Sequence, residues 1–207
     1  MSIPKTILVT SPAALDADGI CLSQTKASSG ALTLNGVLAG TTLDYSRLIA
    51  VASSANITAR VFTIVGTDAN GRSITDTVTG VNNNSVNTTK YFSTVSSVSV
   101  DASFSPDNVT VGTTAALATK INPLNHYDDI ACQVAVELVS GTATWSVQET
   151  FSDSTTAADE IWIVPTAHSG KSATLTAPLD VHAKAMRLVT TAISSPVLRI
   201  QVNQSGC

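Results

Sequence analysis

Between Ile57 and Thr79, two runs rich in β-branched residues flank Asp68-Ala69-Asn70-Gly71. Asn-Gly tolerates positive φ at both central positions of a tight turn, so the segment predicts a β-hairpin with strands over 57–65 and 72–79. The texture recurs along the chain. Residues 91–100 alternate Phe92, Val95, Val98 and Val100 among serines and threonines, and 108–112 place Val109 and Val111 on one face. Asn82-Asn83-Asn84 predicts a polar turn between these units. Farther on, 130–139 and 142–150 predict a second hairpin around Ser140-Gly141, and 161–164, 172–175, 183–191 and 197–202 predict four more strands. Ser194-Ser195-Pro196 is expected to turn the last pair. Roughly six strands per half at about ten-residue spacing is the rhythm of antiparallel sandwiches and barrels. Only 13–17 and 115–120 offer a turn of helix. The fold class expected is all-β.

Composition agrees. Hydrophobic residues make up 43% of the 207 and charged residues 13%, with a net charge of −4. Ser and Thr, roughly a quarter of the chain, carry the polarity. Such a chain can build a core but has no basic stripe for nucleic acid. No run approaches a membrane span, and Asp16 and Asp18 interrupt the start too early for a signal peptide. Neither nucleic acid nor membrane is therefore expected as a partner. Two β-sandwich or barrel modules in tandem are expected, over 46–118 and 128–207, joined by a connector at 119–127 that contains Pro123, Asn122 and Asn125. A single extended sandwich is the alternative. Residues 1–45, broken by Gly19, Gly30, Gly36 and Gly40, read as an irregular N-terminal arm that packs on a neighbouring copy, or as a meandering edge of the first domain.

Motifs with chemistry are weak. His168-Ser169-Gly170-Lys171-Ser172 ends like a phosphate-binding loop, but Pro165 stands where the first glycine is needed and a strand, not a helix, is expected to follow. His126, His168 and His182 have no nucleophile elbow, and His126-Tyr127-Asp128-Asp129 falls in the connector. Asp16-Ala17-Asp18-Gly19 and Asp68-Ala69-Asn70-Gly71 open like calcium loops without continuing as such. Cys21, Cys132 and Cys207 form no metal or redox spacing, and Cys132 reads as a core residue beside Ile130 and Val134. Sequons at Asn56, Asn83, Asn87, Asn108 and Asn203 are expected by chance in a chain so rich in Ser and Thr. Trp145, sharing a face with Val147, reads as core rather than as a sugar platform. No catalytic, cofactor-binding or metal-binding residue is expected, and no enzymatic activity.

Residues 62–81, from Phe62-Thr63-Ile64-Val65 through the Asp68–Gly71 turn to Gly80-Val81, resemble a stretch recurring in structural proteins of tailed bacteriophages. Phe92–Val100, Trp145–Asp153, Ala185–Val189 and Val197–Val202 continue the likeness. The resemblance lies in hairpin texture rather than in a functional motif. It implies a virion component made in the host cytoplasm, foremost a head decoration or cement protein that clamps the major capsid protein. A head–tail adaptor or tail component, meeting portal or tail proteins, is the alternative. A carbohydrate-binding β-sandwich of a fibre is a third reading. The same resemblance implies a homotrimer.

Overall fold

The computed structural model describes residues 5–124, 131–152, 161–180 and 182–205. Its strands are β1 (Lys5–Thr10), β2 (Cys21–Gln24), β3 (Gly30–Ala31), β4 (Ser46–Asn56), β5 (Val61–Thr67), β6 (Ser73–Thr79), β7 (Asn82–Asn87), β8 (Thr94–Val100), β9 (Val109–Ala118), β10 (Asn122–Pro123), β11 (Ala131–Thr150), β12 (Leu175–Pro178) and β13 (Ala185–Ser205), with one 3-10 turn at Thr166–His168. The protein is all-β and its strand pairs are antiparallel. It divides into two compact units, one of residues 14–117 and one of residues 1–13 with 118–207.

In the unit of residues 14–117, β3, β8, β5 and β6 form one sheet, while β9 and β4 lie between β2 and β7. Phe62, Ile64, Val98 and Val100 alternate inward from the first set, and Ile49, Val51, Val109 and Val111 from the second. Alternation of this kind buries one face of each strand. Strand β4 escaped the sequence pattern because its buried positions include Arg47 and Ser53 beside Ile49 and Val51. The Arg47 guanidinium is neutralised by Asp44 at 3.0 Å and donates to the Thr114 carbonyl. Residues expected as an arm lie along this unit: Ile20 donates to Val111, Leu32 to Val98 and Leu43 to Ser93, and all three side chains are buried.

Three expectations need correction here. The Asp68–Gly71 turn has positive φ at Gly71 (+78°) but not at Asn70. The Asp68 carboxylate accepts from the backbone N–H groups of Asn70 and Arg72, and Gly71 N–H closes on the Asp68 carbonyl. That is a longer loop than a two-residue turn, with glycine alone in the left-handed region. Asn82–Asn84 is no turn but the start of β7, paired with β4. Residues 115–118 end strand β9 rather than forming a turn of helix; Leu117 and Ala118 are buried there.

In the other unit β11 and β13 pair along almost their whole length, from Ala131↔Ser205 to Thr150↔Ala185. Neither turns where the sequence suggests. Ser140-Gly141 and Ser194-Ser195-Pro196 sit opposite each other at register shifts inside a continuous ribbon. Turn-forming residues serve a bulge equally well, because both need left-handed backbone. The shifts also have a packing consequence. Buried positions on β11 are even-numbered at Cys132, Val134 and Val136 but odd-numbered at Ala143, Trp145 and Val147. On β13 Met186 and Leu188 are buried at one end, together with Ala185, Val189 and Thr190, and Leu198, Ile200 and Val202 at the other. The net one-residue slip in pairing falls between Thr144 and Trp145, where Thr144 faces Ala192 and Trp145 faces Thr190. β1 pairs with β13 over Val197–Val202 on the side away from β11, and β12 pairs with β11 over Gln133–Val136.

Candidate functional site

The ribbon brings together residues that are distant along it. Leu179 N–H donates to the Cys132 carbonyl, and the next residue, Asp180, donates its N–H to Glu149 Oε2 at 3.0 Å. Cys132 and Glu149 would be about 56 Å apart in a straight strand. Consecutive Cα atoms are only about 3.8 Å apart. β11 therefore doubles back at its bulges, and its two ends meet around residues 179–180.

Glu149 is the centre of that meeting. Its side chain is fully buried, and Oε1 lies 3.1 Å from Nδ1 of His168, itself 1% exposed. The distance suits an ion pair, but neither ring nitrogen has a partner in hydrogen-bond geometry. His168 closes the 3-10 turn and is drawn inward while its neighbours Ala167 and Ser169 remain exposed. Antiparallel bridges Glu149–Ile163 and Trp145–Lys171 fasten the segment on either side. Burial pushes the Cys132 thiol up from its ordinary range, and the Glu149 charge adds to the shift. A protonated, enclosed thiol is a poor nucleophile, so Cys132, Glu149 and His168 lack the accessible thiolate that Cys–His chemistry requires. The Glu149–His168 contact and the two bridges clamp the 161–171 segment onto the ribbon.

The remaining candidates resolve one by one. Gly170 has φ +57° and its N–H donates to Ser146 Oγ, while Lys171 exchanges both backbone hydrogen bonds with Trp145. Backbone donors that a phosphate would need are thus engaged, and no helix follows. His182 is exposed and lies 3.3 Å from Asp180 Oδ1, which also accepts the His182 N–H. His126, Tyr127, Asp128, Asp129 and Cys207 lie outside the described residues. The Asp16 carbonyl accepts from Gly19 and Thr113, tying the Asp16–Gly19 turn to β9. Among the described residues no three of His, Cys, Asp and Glu converge in a metal-binding group. Trp145 is fully buried. A cleft of about 270 Å³ opens beside the bulges against Leu138, Thr142, Thr144, Ser172, Ile193 and Ser194, and no ionisable side chain lines it.

One surface feature escaped the sequence reading. Phe151 (41% exposed), Ile161 (73%), Ile163 (40%) and Val164 (38%) are large apolar side chains left open to solvent. The Glu149–Ile163 bridge places them at one end of the ribbon. Beside them the Arg187 guanidinium stacks 4.2 Å from the Trp162 ring centroid while its Nε donates to Gln148. The run 161–164 reads as a strand in sequence; it makes a single bridge, at Ile163, and the sequence could not show that it keeps its apolar side chains outside. No protein-family model matches the chain, and no curated protein matches it in sequence.

Proposed function

We propose that this chain is a non-enzymatic structural protein of a tailed-bacteriophage virion, a head decoration protein that binds the assembled capsid lattice through one end of the β11–β13 ribbon. The observation that carries the reading is the exposed apolar strip Phe151, Ile161, Ile163 and Val164. Large apolar side chains left exposed near one end of a ribbon suit contact with another protein. The clamp formed by Glu149 and His168 supports it by fixing the strip's backbone to the ribbon. Binding only the assembled lattice would stabilise that lattice by mass action, with no chemical step.

Co-sedimentation of the purified chain with expanded phage heads tests the reading. Saturable binding at a ratio set by the capsid lattice is expected, and the double variant Ile161→Asp, Ile163→Asp should abolish it. Quantitative mass spectrometry of virions separates the alternative, since a head–tail adaptor would be present in about a dozen copies. No binding to heads or tails, or a saturable signal on a glycan array in its place, overturns the assignment.

A further inference from the structure

Strand β1 is attached to its unit in an unusual way. It pairs with β13 from Lys5↔Val202 to Thr10↔Val197. Of its six side chains only Val9 is fully enclosed, and Leu8 is 52% exposed. After Ala13 the chain passes into the other unit for the whole of residues 14–117 before returning at Ala118. The covalent path from β1 to the strand it pairs with therefore runs through an entire second unit. At its exit Ser11 holds φ +39°, immediately before Pro12. Left-handed backbone is unfavourable for a residue with a Cβ, and a following proline favours extended conformations instead. The closed connection is strained at one residue.

We infer that β1 is an exchangeable strand: it leaves the β13 edge of its own chain and completes the same edge in a second copy, so that copies associate by strand exchange. The partner's fit is already visible. The 5–10 segment of any copy matches the 197–202 edge of any other, with the same six register pairs and the same pocket for Val9. The exchanged form differs at the hinge, where Ser11, whose N–H donates to the Pro196 carbonyl in the closed form, relaxes into extended backbone. Exchange of identical elements is an inexpensive route to a closed oligomer, because the exchanged contacts are those of the monomer. A β13 edge with an empty register would otherwise be an open template for pairing. This inference stands on β1 and its hinge, and is independent of the virion assignment.

Full-length protein carrying Thr6→Cys and Gln201→Cys, with Cys207→Ser to remove the terminal thiol, provides the test. The two new thiols are cross-strand neighbours at exposed positions. After mild oxidation and denaturing, non-reducing electrophoresis, exchange gives covalently linked dimers or larger species that reducing agent returns to monomer. A monomer band whose mass shows an internal disulfide overturns the proposal, even if the native protein is oligomeric. Leu8→Cys with Arg199→Cys gives the same readout should the first pair fold poorly. Ser11→Gly relieves the hinge without touching the ladder, and should lower the oligomeric fraction after refolding several-fold in light scattering. An unchanged fraction would count against exchange driven by the hinge.

Discussion

Gly141 and Ser195 face each other across the β11–β13 ribbon, and a Cβ added to Gly141 would lie 2.3 Å from the Ser195 carbonyl oxygen. Both residues hold positive φ, +74° and +42°. Backbone meets backbone at the bulges, so neither can yield as a flexible side chain would. Gly141→Ala should destabilise the protein by about 2–4 kcal/mol, from left-handed strain together with overpacking. Ser195→Gly, which removes strain while keeping the carbonyl, should be neutral or stabilising by up to about 1 kcal/mol. Urea denaturation checks both, as opposite shifts in midpoint.

Gly71 offers the contrasting case. It has φ +78°, but nothing lies within 4 Å of an added Cβ. Gly71→Ala should cost only the conformational penalty, about 1 kcal/mol. Asp68→Ala should cost at least as much. It removes the acceptor of the Asn70 and Arg72 N–H groups and the 2.7 Å ion pair with Arg72. If thermal unfolding ranks Gly71→Ala above Gly141→Ala in cost, the two backbone environments have been misassigned.

For the buried pair, Glu149→Leu or His168→Ala alone should cost about 3 kcal/mol or more, since each leaves a buried polar partner uncompensated. The double variant Glu149→Gln, His168→Phe should cost less than the sum of Glu149→Gln and His168→Phe, because each single variant leaves the other member of the pair without its partner. A double-mutant cycle with zero coupling energy would show that the 3.1 Å contact contributes nothing. Substituting His168 should thus affect folding, whereas the exposed His182 can be replaced without loss.

Cys21 gives a pH-dependent prediction. Burial pushes its thiol from 9.0 up to about 12. Above the unfolded thiol's range, the unfolded chain has lost that proton while the folded chain retains it. Stability linked to Cys21 is therefore fully present below about pH 9 and is lost as pH rises toward the folded value. Cys21→Ala should flatten this alkaline decline in denaturation midpoints measured from about pH 8 to 10. The native thiol should also resist alkylating reagents until the chain unfolds; rapid labelling under native conditions would contradict its burial.

Local signals made the strand content legible. Alternation placed Val95, Val98 and Val100 inside, and β-rich flanks located the Asp68–Gly71 loop. What stayed hidden depended on distant partners. Ser140-Gly141 has the same composition whether the chain reverses or bulges, and only pairing with β13 decides between them. Arg47 disguised β4 because its charge is neutralised by Asp44 rather than by solvent. Glu149 and His168 form no motif, since the bridges Glu149–Ile163 and Trp145–Lys171 bring them together. The open apolar strip depended on knowing which face of 161–164 is covered.

The pairing of Lys5 with Val202 has a consequence for how the protein is made. Residues 14–117 can fold while the ribosome is still synthesising the remainder, as units do during translation. The first strand must wait for the last, because its edge does not exist until β13 has emerged. Almost the entire chain separates these partners, so closure is an intrinsically late event. A product truncated before Val197 would leave β1 without its partner and residues 131–138 without their β13 neighbour while residues 14–117 remained intact. Such fragments would be recognisable to proteases by the unpaired β1 and the open edge of residues 131–138.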